Sequence, residues 1–277
     1  MGKVRTLILL APGTNCDVET EVAFQQAGAE TFSVHIGELI RRKKRLSDYH
    51  IMVIPGGFTY GDDISAGKVL ANELRLKLGE DIERFVNGGG LILGICNGFQ
   101  VLVKAGILPD PLLTSPLKGE EQGEGDKITL SVNDSGRFEC RWVYLSVNQE
   151  SPCVFTKGIA HMYLPVAHGE GKVVVPRDIG LARGLSHLNA VLYYSDEHGN
   201  TNAGYPYNPN GSVGNIAGIC DSSGRIFGLM PHPERHIRGT QHPQWTRSGA
   251  EDYGDGFQVF LNAVKWAGNY STFTAVP

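Results

Sequence analysis

The sequence has no C-x-x-C pair, no apolar run long enough to cross a membrane and no glycine-rich phosphate loop. Each absence removes a class of function. The five cysteines, Cys16, Cys96, Cys140, Cys153 and Cys220, are odd in number and widely spaced, which argues against a disulfide framework or a zinc site and for the reducing cytoplasm. The apolar stretch from Lys3 to Leu10 meets Pro12-Gly13 and carries no cleavage region, so it reads as a first strand and not as a membrane span or signal peptide. Neither G-x-G-x-x-G nor G-x-x-x-x-G-K-[ST] occurs, and Gly88-Gly89-Gly90 precedes a strand pattern, whereas a phosphate cradle precedes a helix. No nucleotide cofactor and no metal are expected on this chain. A formal net charge of -4 gives no electrostatic footprint for nucleic acid. The one basic run, residues 41–45, reads as the solvated end of a helix, where cations complement the dipole.

What remains is an α/β pattern. Apolar residues make up 41% of 277 positions, enough to bury a sizeable core, and residues 1–277 are expected to form a single domain. Val4–Leu10, Thr31–Ile36, Ile51–Ile54 and Leu91–Ile95 read as strands. Helical patterns follow the first of them, span Val69–Val86 and open at Asn97, ending near Lys104. This alternation predicts a mostly parallel central sheet flanked by helices. Asn15 or Asp17 is placed to cap the first helix and Gly28 to end it. Residues 117–127 are polar and read as an exposed loop. Beyond them short runs at Ile128–Val132, Phe138–Val147, Met162–Val166, Lys172–Val175 and Val191–Tyr194 suggest additional antiparallel strands. Asp221-Ser222-Ser223-Gly224 marks a hairpin between Ile216–Cys220 and Ile226–Met230, and a helix closes the chain over Asp255–Trp266.

Three features carry chemistry. Gly94-Ile95-Cys96-Asn97-Gly98 follows a buried strand and opens a helix, the setting of a nucleophile elbow: small residues on either side permit the strained turn, and the helix N-terminus favours a thiolate. The N–H of Asn97 points where an oxyanion would form. Pro231-His232-Pro233-Glu234 offers a base and an acid two residues apart, which project to one side of an extended chain. Pro55-Gly56-Gly57-Phe58 lies at the carboxyl end of the third strand, where its backbone could approach a substrate carbonyl. Each also fits a plainer reading: a buried structural cysteine, a turn with an incidental His and Glu, a strand-ending turn.

Taken together, these residues make the chain similar to the class I glutamine amidotransferases, and more narrowly to the family of glutaminase subunits of phosphoribosylformylglycinamidine synthase. The motifs that carry the resemblance are PGTNCDVE from Pro12, PGGFTYGDDISAGKV from Pro55, GICNGFQVLVKAGILP from Gly94, RFECRWV from Arg137, LPVAHGEGK from Leu164, YPYNPNGS from Tyr205 and GLMPHPER from Gly228. The cysteine elbow and His-x-Glu mark the class. The GGF-YGD, VAHGEG and NPNGS stretches mark the purine branch, and a glutaminase serving a different ammonia-using synthetase should lack the last two. The resemblance implies Cys96 as nucleophile, His232 as base and Glu234 as its orienting acid, with Gly57 and Asn97 as the oxyanion hole. It further implies that Gly56, Gln100, His168, Gly169 and Glu170 line a glutamine pocket. It implies a synthetase partner that uses ATP and magnesium, and a small auxiliary subunit. Thr59 stands where serine is more usual in the family, and Cys16, without a basic neighbour in sequence, is expected to be structural or interfacial.

Overall fold

The computed structural model describes residues 2–62, 65–109, 128–175, 188–249 and 251–273. The polar stretch 117–127 lies outside them. Eleven strands are described: β1 (Arg5–Leu10), β2 (Glu30–His35), β3 (Ile51–Ile54), β4 (Leu91–Ile95), β5 (Thr129–Val132), β6 (Glu139–Val147), β7 (His161–His168), β8 (Glu170–Val174), β9 (Asn189–Ser195), β10 (Ile216–Cys220) and β11 (Ile226–Leu229). Nine of them form one sheet in the order β2-β1-β3-β4-β11-β10-β9-β6-β7, and β5 pairs with β8 separately. The five strands from β2 to β11 are parallel, and each pairing from β11 onward to β7 is antiparallel. This is the α/β architecture expected from the alternation of patterns.

The division follows from the sequence. β3, β4, β10 and β11 are apolar at every position and fully buried, as strands covered on both faces must be. β7 alternates buried residues with one exposed and three half-buried ones, as a strand with one partly covered face does. Helices α1 (Asp17–Gln26), α2 (Ile36–Ile40), α3 (Lys68–Asn87), α4 (Asn97–Lys104) and α5 (Phe257–Phe273) accompany the parallel half. α3 buries Leu70, Leu74, Leu78, Ile82 and Phe85, a stripe at three- and four-residue spacing. α4 has its bounds where the pattern puts them, and seven of its eight residues are buried because it threads between the sheet and α3. The basic run begins at the C-cap of α2, Arg41, and continues beyond the helix.

One expectation fails at α1. Neither Asn15 nor Asp17 caps it; the N-cap is Cys16, without a side-chain cap bond. The reason is tertiary. The N–H groups of Asn15 and Cys16 both reach the carbonyl of Gly56 (3.4 and 3.3 Å), and Phe58 N–H bonds Gly13 O at 2.9 Å. The loop before α1 is thereby clamped to the loop after β3, and the Asn15 carboxamide oxygen faces the Cys16 sulfur instead of the helix N–H groups. Among the described residues no helix is long and apolar enough to cross a membrane.

Candidate active site

Cys96 leaves β4 with φ 51° and ψ -104°, a left-handed conformation rare for a residue with a Cβ. Such strain costs roughly 1–3 kcal/mol and persists only where the surroundings impose it. Here two glycines impose it. A Cβ on Gly94 would lie 2.5 Å from Leu102 Cδ1 and 2.7 Å from Gly98 O, and one on Gly98 would overlap the carbonyl of Ile54. α4 can therefore seat its first turn directly on the ends of β3 and β4. Cys96 N–H is bonded to Leu229 O on neighbouring β11 at 2.8 Å, and its sulfur faces Ala167 O at 3.7 Å.

His232 follows β11 by a few residues. Its N–H is held by Pro165 O of β7 at 2.9 Å, and its Nδ1 meets Glu234 Oε1 at 2.6 Å. The contact does not arise in extended chain as the spacing suggested. Residues 233–235 form a single 3₁₀ turn with proline at its first position, which curls the carboxylate back under the ring. Nδ1 thus donates to Glu234, and Nε2 is left clear of the carboxylate; it makes no hydrogen bond of regular geometry among the described residues. Both the Cys96 and Cys16 thiols stand against the ring. Burial opposes a charge on His232, but the Glu234 carboxylate and then Cys96 outweigh it, and the imidazole pKa is raised well above its ordinary value.

The loop after β3 supplies the other wall. Gly57 adopts φ 145°, and a Cβ there would lie 2.7 Å from Gly13 O and 2.9 Å from Asn15 N. Its bridge to Thr14 is closed by the neighbouring residues, through Asn15 N–H to Gly56 O and Phe58 N–H to Gly13 O, which leaves Gly57's own N–H outside the bridge. Asn97, as the first residue of α4, has an N–H without an intrahelical acceptor. Its side chain ties the walls together. Asn97 Oδ1 accepts from Thr59 N–H (3.3 Å) and Thr59 Oγ1 (2.7 Å), Asn97 Nδ2 donates to Gln100 Oε1 (3.0 Å), and Gln100 Nε2 donates to Glu170 O (2.6 Å). The threonine hydroxyl thus has a partner that a serine hydroxyl could equally use. Gln100 is engaged at both ends of its amide, with one N–H and one lone pair remaining. Glu170 lies 3.5 Å from Lys104 Nζ.

His168 is buried at the end of β7, and burial, with the neighbouring His232 charge, pulls its pKa down to about 3. Its Nδ1 donates to Asn133 Oδ1 at 3.1 Å, while Asn133 Nδ2 donates to His168 O and Arg137 O. The ring is neutral and its Nε2 is a buried acceptor without a partner among the described residues. Gly169 O accepts from Asn133 N–H at 2.9 Å. Asn133 therefore holds the whole His168-Gly169 corner, yet nothing in its sequence neighbourhood marks it. Behind that corner, Asn210 Nδ2 donates to Gly171 O at 2.8 Å, and Ser212 Oγ accepts from Val173 N–H at 2.9 Å. The NPNGS stretch is thus the brace of the VAHGEG stretch. Asn133→Ala is expected to lower stability by about 1–3 kcal/mol, since it orphans buried groups; urea unfolding of the purified chain reads this directly.

Among the described residues, Cys16, His232 and Glu234 form the single group of His, Cys and acidic side chains placed close enough to suggest a metal, with ligand atoms within 4.8 Å of one another. The Arg235 guanidinium already occupies the sulfur, Nη2 to Sγ 3.1 Å, and opposes a cation there.

A buried cysteine at a strained elbow, facing a histidine anchored by a carboxylate, is the arrangement of an amide-hydrolysing thiol site. Residues 3–267 match the family described as the CobB/CobQ-like glutamine amidotransferase domain. The chain belongs to that family. It is 58% identical over 267 residues to phosphoribosylformylglycinamidine synthase subunit PurQ of Dehalococcoides mccartyi, covering 96% of this chain and 99% of that protein. The PurQ protein of Archaeoglobus fulgidus is 43% identical over 275 residues, with 95% and 97% covered. A chain in the structure of PurLQS from Thermotoga maritima superposes with a TM-score of 0.68 at 32% identity, covering 96% of this chain and 99% of that one. The glutaminase domain of CTPS from Trypanosoma brucei shares the fold, with a TM-score of 0.54 at 13% identity over 95% of this chain and 94% of that one. Membership of the glutamine amidotransferases agrees with the resemblance carried by the elbow and the His-x-Glu.

Proposed function

We propose that this chain is the glutaminase subunit of a phosphoribosylformylglycinamidine synthase, working in the cytoplasm. It hydrolyses glutamine and supplies ammonia to a synthetase subunit that uses ATP and magnesium, with a small auxiliary subunit completing the assembly. The observation that carries the chemistry is Cys96 on its strained turn beside the His232–Glu234 pair. The VAHGEG and NPNGS stretches, locked together in space, favour the purine branch over a glutaminase serving another synthetase.

The reaction follows from the atoms in place. Cys96 Sγ gives its proton to His232 Nε2 and attacks the carboxamide carbon of glutamine, forming a C–S bond. The negative oxygen meets the Gly57 and Asn97 N–H groups. The C–N bond breaks as His232 returns the proton to the departing nitrogen, which leaves as ammonia. Water, deprotonated by His232, then adds to the thioester, and the C–S bond breaks as His232 returns that proton to the Cys96 sulfur, releasing glutamate. Glu234 keeps Nδ1 protonated throughout, so that Nε2 is always the exchanging atom. Gly56 shapes the oxyanion loop. His168, Gly169 and Glu170 form the wall against the glutamine backbone groups, and Gln100 both holds that wall and offers its remaining amide sites.

The test is glutamate release by this chain, with and without the synthetase subunit, the auxiliary subunit, the formylglycinamide ribonucleotide and ATP. Release that rises in the complete mixture and matches amidine formation supports both chemistry and pathway. Brisk release indifferent to the partners keeps the chemistry and overturns the pathway, and no release in any mixture overturns both.

The raised pKa of His232 fixes a pH dependence. The charged ring, and the stability it lends, is fully present below the ordinary histidine value and is lost as pH rises through the raised one. Glu234→Gln removes the main group that raises it. The alkaline limb of kcat/KM is expected to move to lower pH, with a loss of about 10²- to 10⁴-fold in rate. An unmoved limb would assign that limb to another group.

A further inference from the structure

Cys16 has no task in the reaction above, yet it touches three parts of its machinery. It is 1% exposed. Its N–H bonds Gly56 O at 3.3 Å, which fixes the oxyanion loop. A Cβ built on Gly56 would lie 3.1 Å from Cys16 Sγ and 2.9 Å from His232 Cε1, so the glycine, the sulfur and the imidazole converge on one point. The sulfur also accepts a hydrogen bond from Arg235 Nη2 at 3.1 Å and donates to Asn15 Oδ1 at 3.3 Å.

Arg235 is the decisive neighbour. It follows Glu234 directly, and its Nε lies 3.8 Å from both Glu234 Oε1 and Glu19 Oε1. Glu234 Oε1 is the same oxygen that accepts from His232 Nδ1, and Glu234 Oε2 has no hydrogen-bond partner among the described residues. A guanidinium free to turn toward this carboxylate would make a bidentate pair with it, the strongest geometry available to an arginine. That pair would draw the carboxylate's charge away from the imidazole.

We propose that Cys16 is a positioning residue for the base: its sulfur engages Arg235, keeps the guanidinium from closing a bidentate pair with Glu234, and packs against the His232 ring. The short contact of Glu234 is thereby kept for His232, and the ring is packed against the sulfur and Gly56 with Nε2 toward Cys96. The proposal rests on the glutaminase reading. The charged and titratable groups facing His232 are Glu234 and Arg235 from its own turn, Cys96 from the end of β4, His168 from β7 and Cys16 from the loop before α1, with Glu19 of α1 on the far side of Arg235. The Cys16 sulfur acts on the ring in two ways, through its own contact with the imidazole and through the Arg235–Glu234 distance.

The experiment is the pH profile of glutamate release by the complete synthase carrying Cys16→Ala or Cys16→Ser. Cys16→Ala is expected to lower kcat about 10- to 100-fold with KM for glutamine unchanged. It should also shift the alkaline limb about one unit to lower pH, because Arg235 neutralises Glu234 and the ring loses what raises its pKa. Cys16→Ser, whose hydroxyl can still accept from Arg235, should restore the limb. In an Arg235→Met background the shift caused by Cys16→Ala should shrink, since the competitor is gone and only the sulfur's own contact with the ring is lost; a shift of undiminished size overturns the proposal. A limb unmoved by Cys16→Ala, or a serine form that behaves as alanine does, overturns the proposal. Should Cys16→Ala fail to fold, the serine form decides alone: a limb shifted as far as predicted for alanine overturns the proposal, and an unshifted limb supports it. If the unaltered chain releases no glutamate in the same mixture, the glutaminase reading fails instead, and the two failures are told apart.

Discussion

Cys96→Ala abolishes glutamine-dependent turnover, with an expected loss on the order of 10⁶-fold, the scale seen when a covalent nucleophile is removed from an intact site. Nothing adjacent can replace it. The oxyanion groups and His232 remain, but the described residues place no second nucleophile on the elbow, and Cys16 lies behind the base with its sulfur engaged by Arg235. The loss should fall on chemistry alone, because alanine fits the same turn with less bulk. Ammonia supplied directly to the complete synthase should still be converted to the amidine at an undiminished rate. Single-turnover release of glutamate from labelled glutamine measures the first effect, and ammonia-dependent synthesis measures the second. Retention of a tenth or more of the original glutaminase rate would remove Cys96 from the mechanism.

Gly98→Ala is expected to be the most damaging of the conservative changes outside the triad. The added methyl would occupy the position of the Ile54 carbonyl, which is backbone at the end of a fully buried strand. That carbonyl cannot turn aside as a flexible side chain can. α4 must lift from β3, carrying Cys96, Asn97 and Gln100 with it. Overpacking of this kind costs about 3 kcal/mol, and in a protein of this size that corresponds to a fall of roughly 6–12 °C in Tm. The folded fraction should also lose activity, since lifting α4 moves the Asn97 N–H away from Gly57. Calorimetry and the glutaminase assay on the same sample separate the two losses. A variant with unchanged Tm would mean that α4 does not sit against Ile54 as described.

The parts of the site that sequence exposes are those in which one local segment does the whole job. The elbow is of this kind: strand, cysteine and helix follow one another with a glycine two residues to either side, and α4 begins and ends where the pattern says. The His232–Glu234 pair is local too, although a 3₁₀ turn brings the two together where extended chain was expected. The parts that stay hidden are made by distant segments. Arg235 and Cys16 are 219 positions apart, and Asn133 holds His168 across 35. Ala167 and Pro165 act through their carbonyls, and a backbone oxygen leaves no trace in residue identity. The failed cap at α1 has the same origin, because the tether to Gly56 directs Asn15 toward the Cys16 sulfur.

β4 and β11 are parallel neighbours with Ile95 opposite Leu229. Cys96 leaves one strand and His232 follows the other at the same edge, so their separation is anchored by the spacing of adjacent strands, about 4.8 Å, with the Pro165 carbonyl of β7 fixing the His232 backbone. Within residues 97–225, only those parts that touch neither Cys96 nor His232 can lengthen or shorten without altering that gap, since Pro165 and Ala167 of β7 hold the two residues from the far side. The gap between the two side chains is in effect a lattice constant of the sheet, and it is the chain between strands, away from that edge, that can be rebuilt to suit a partner.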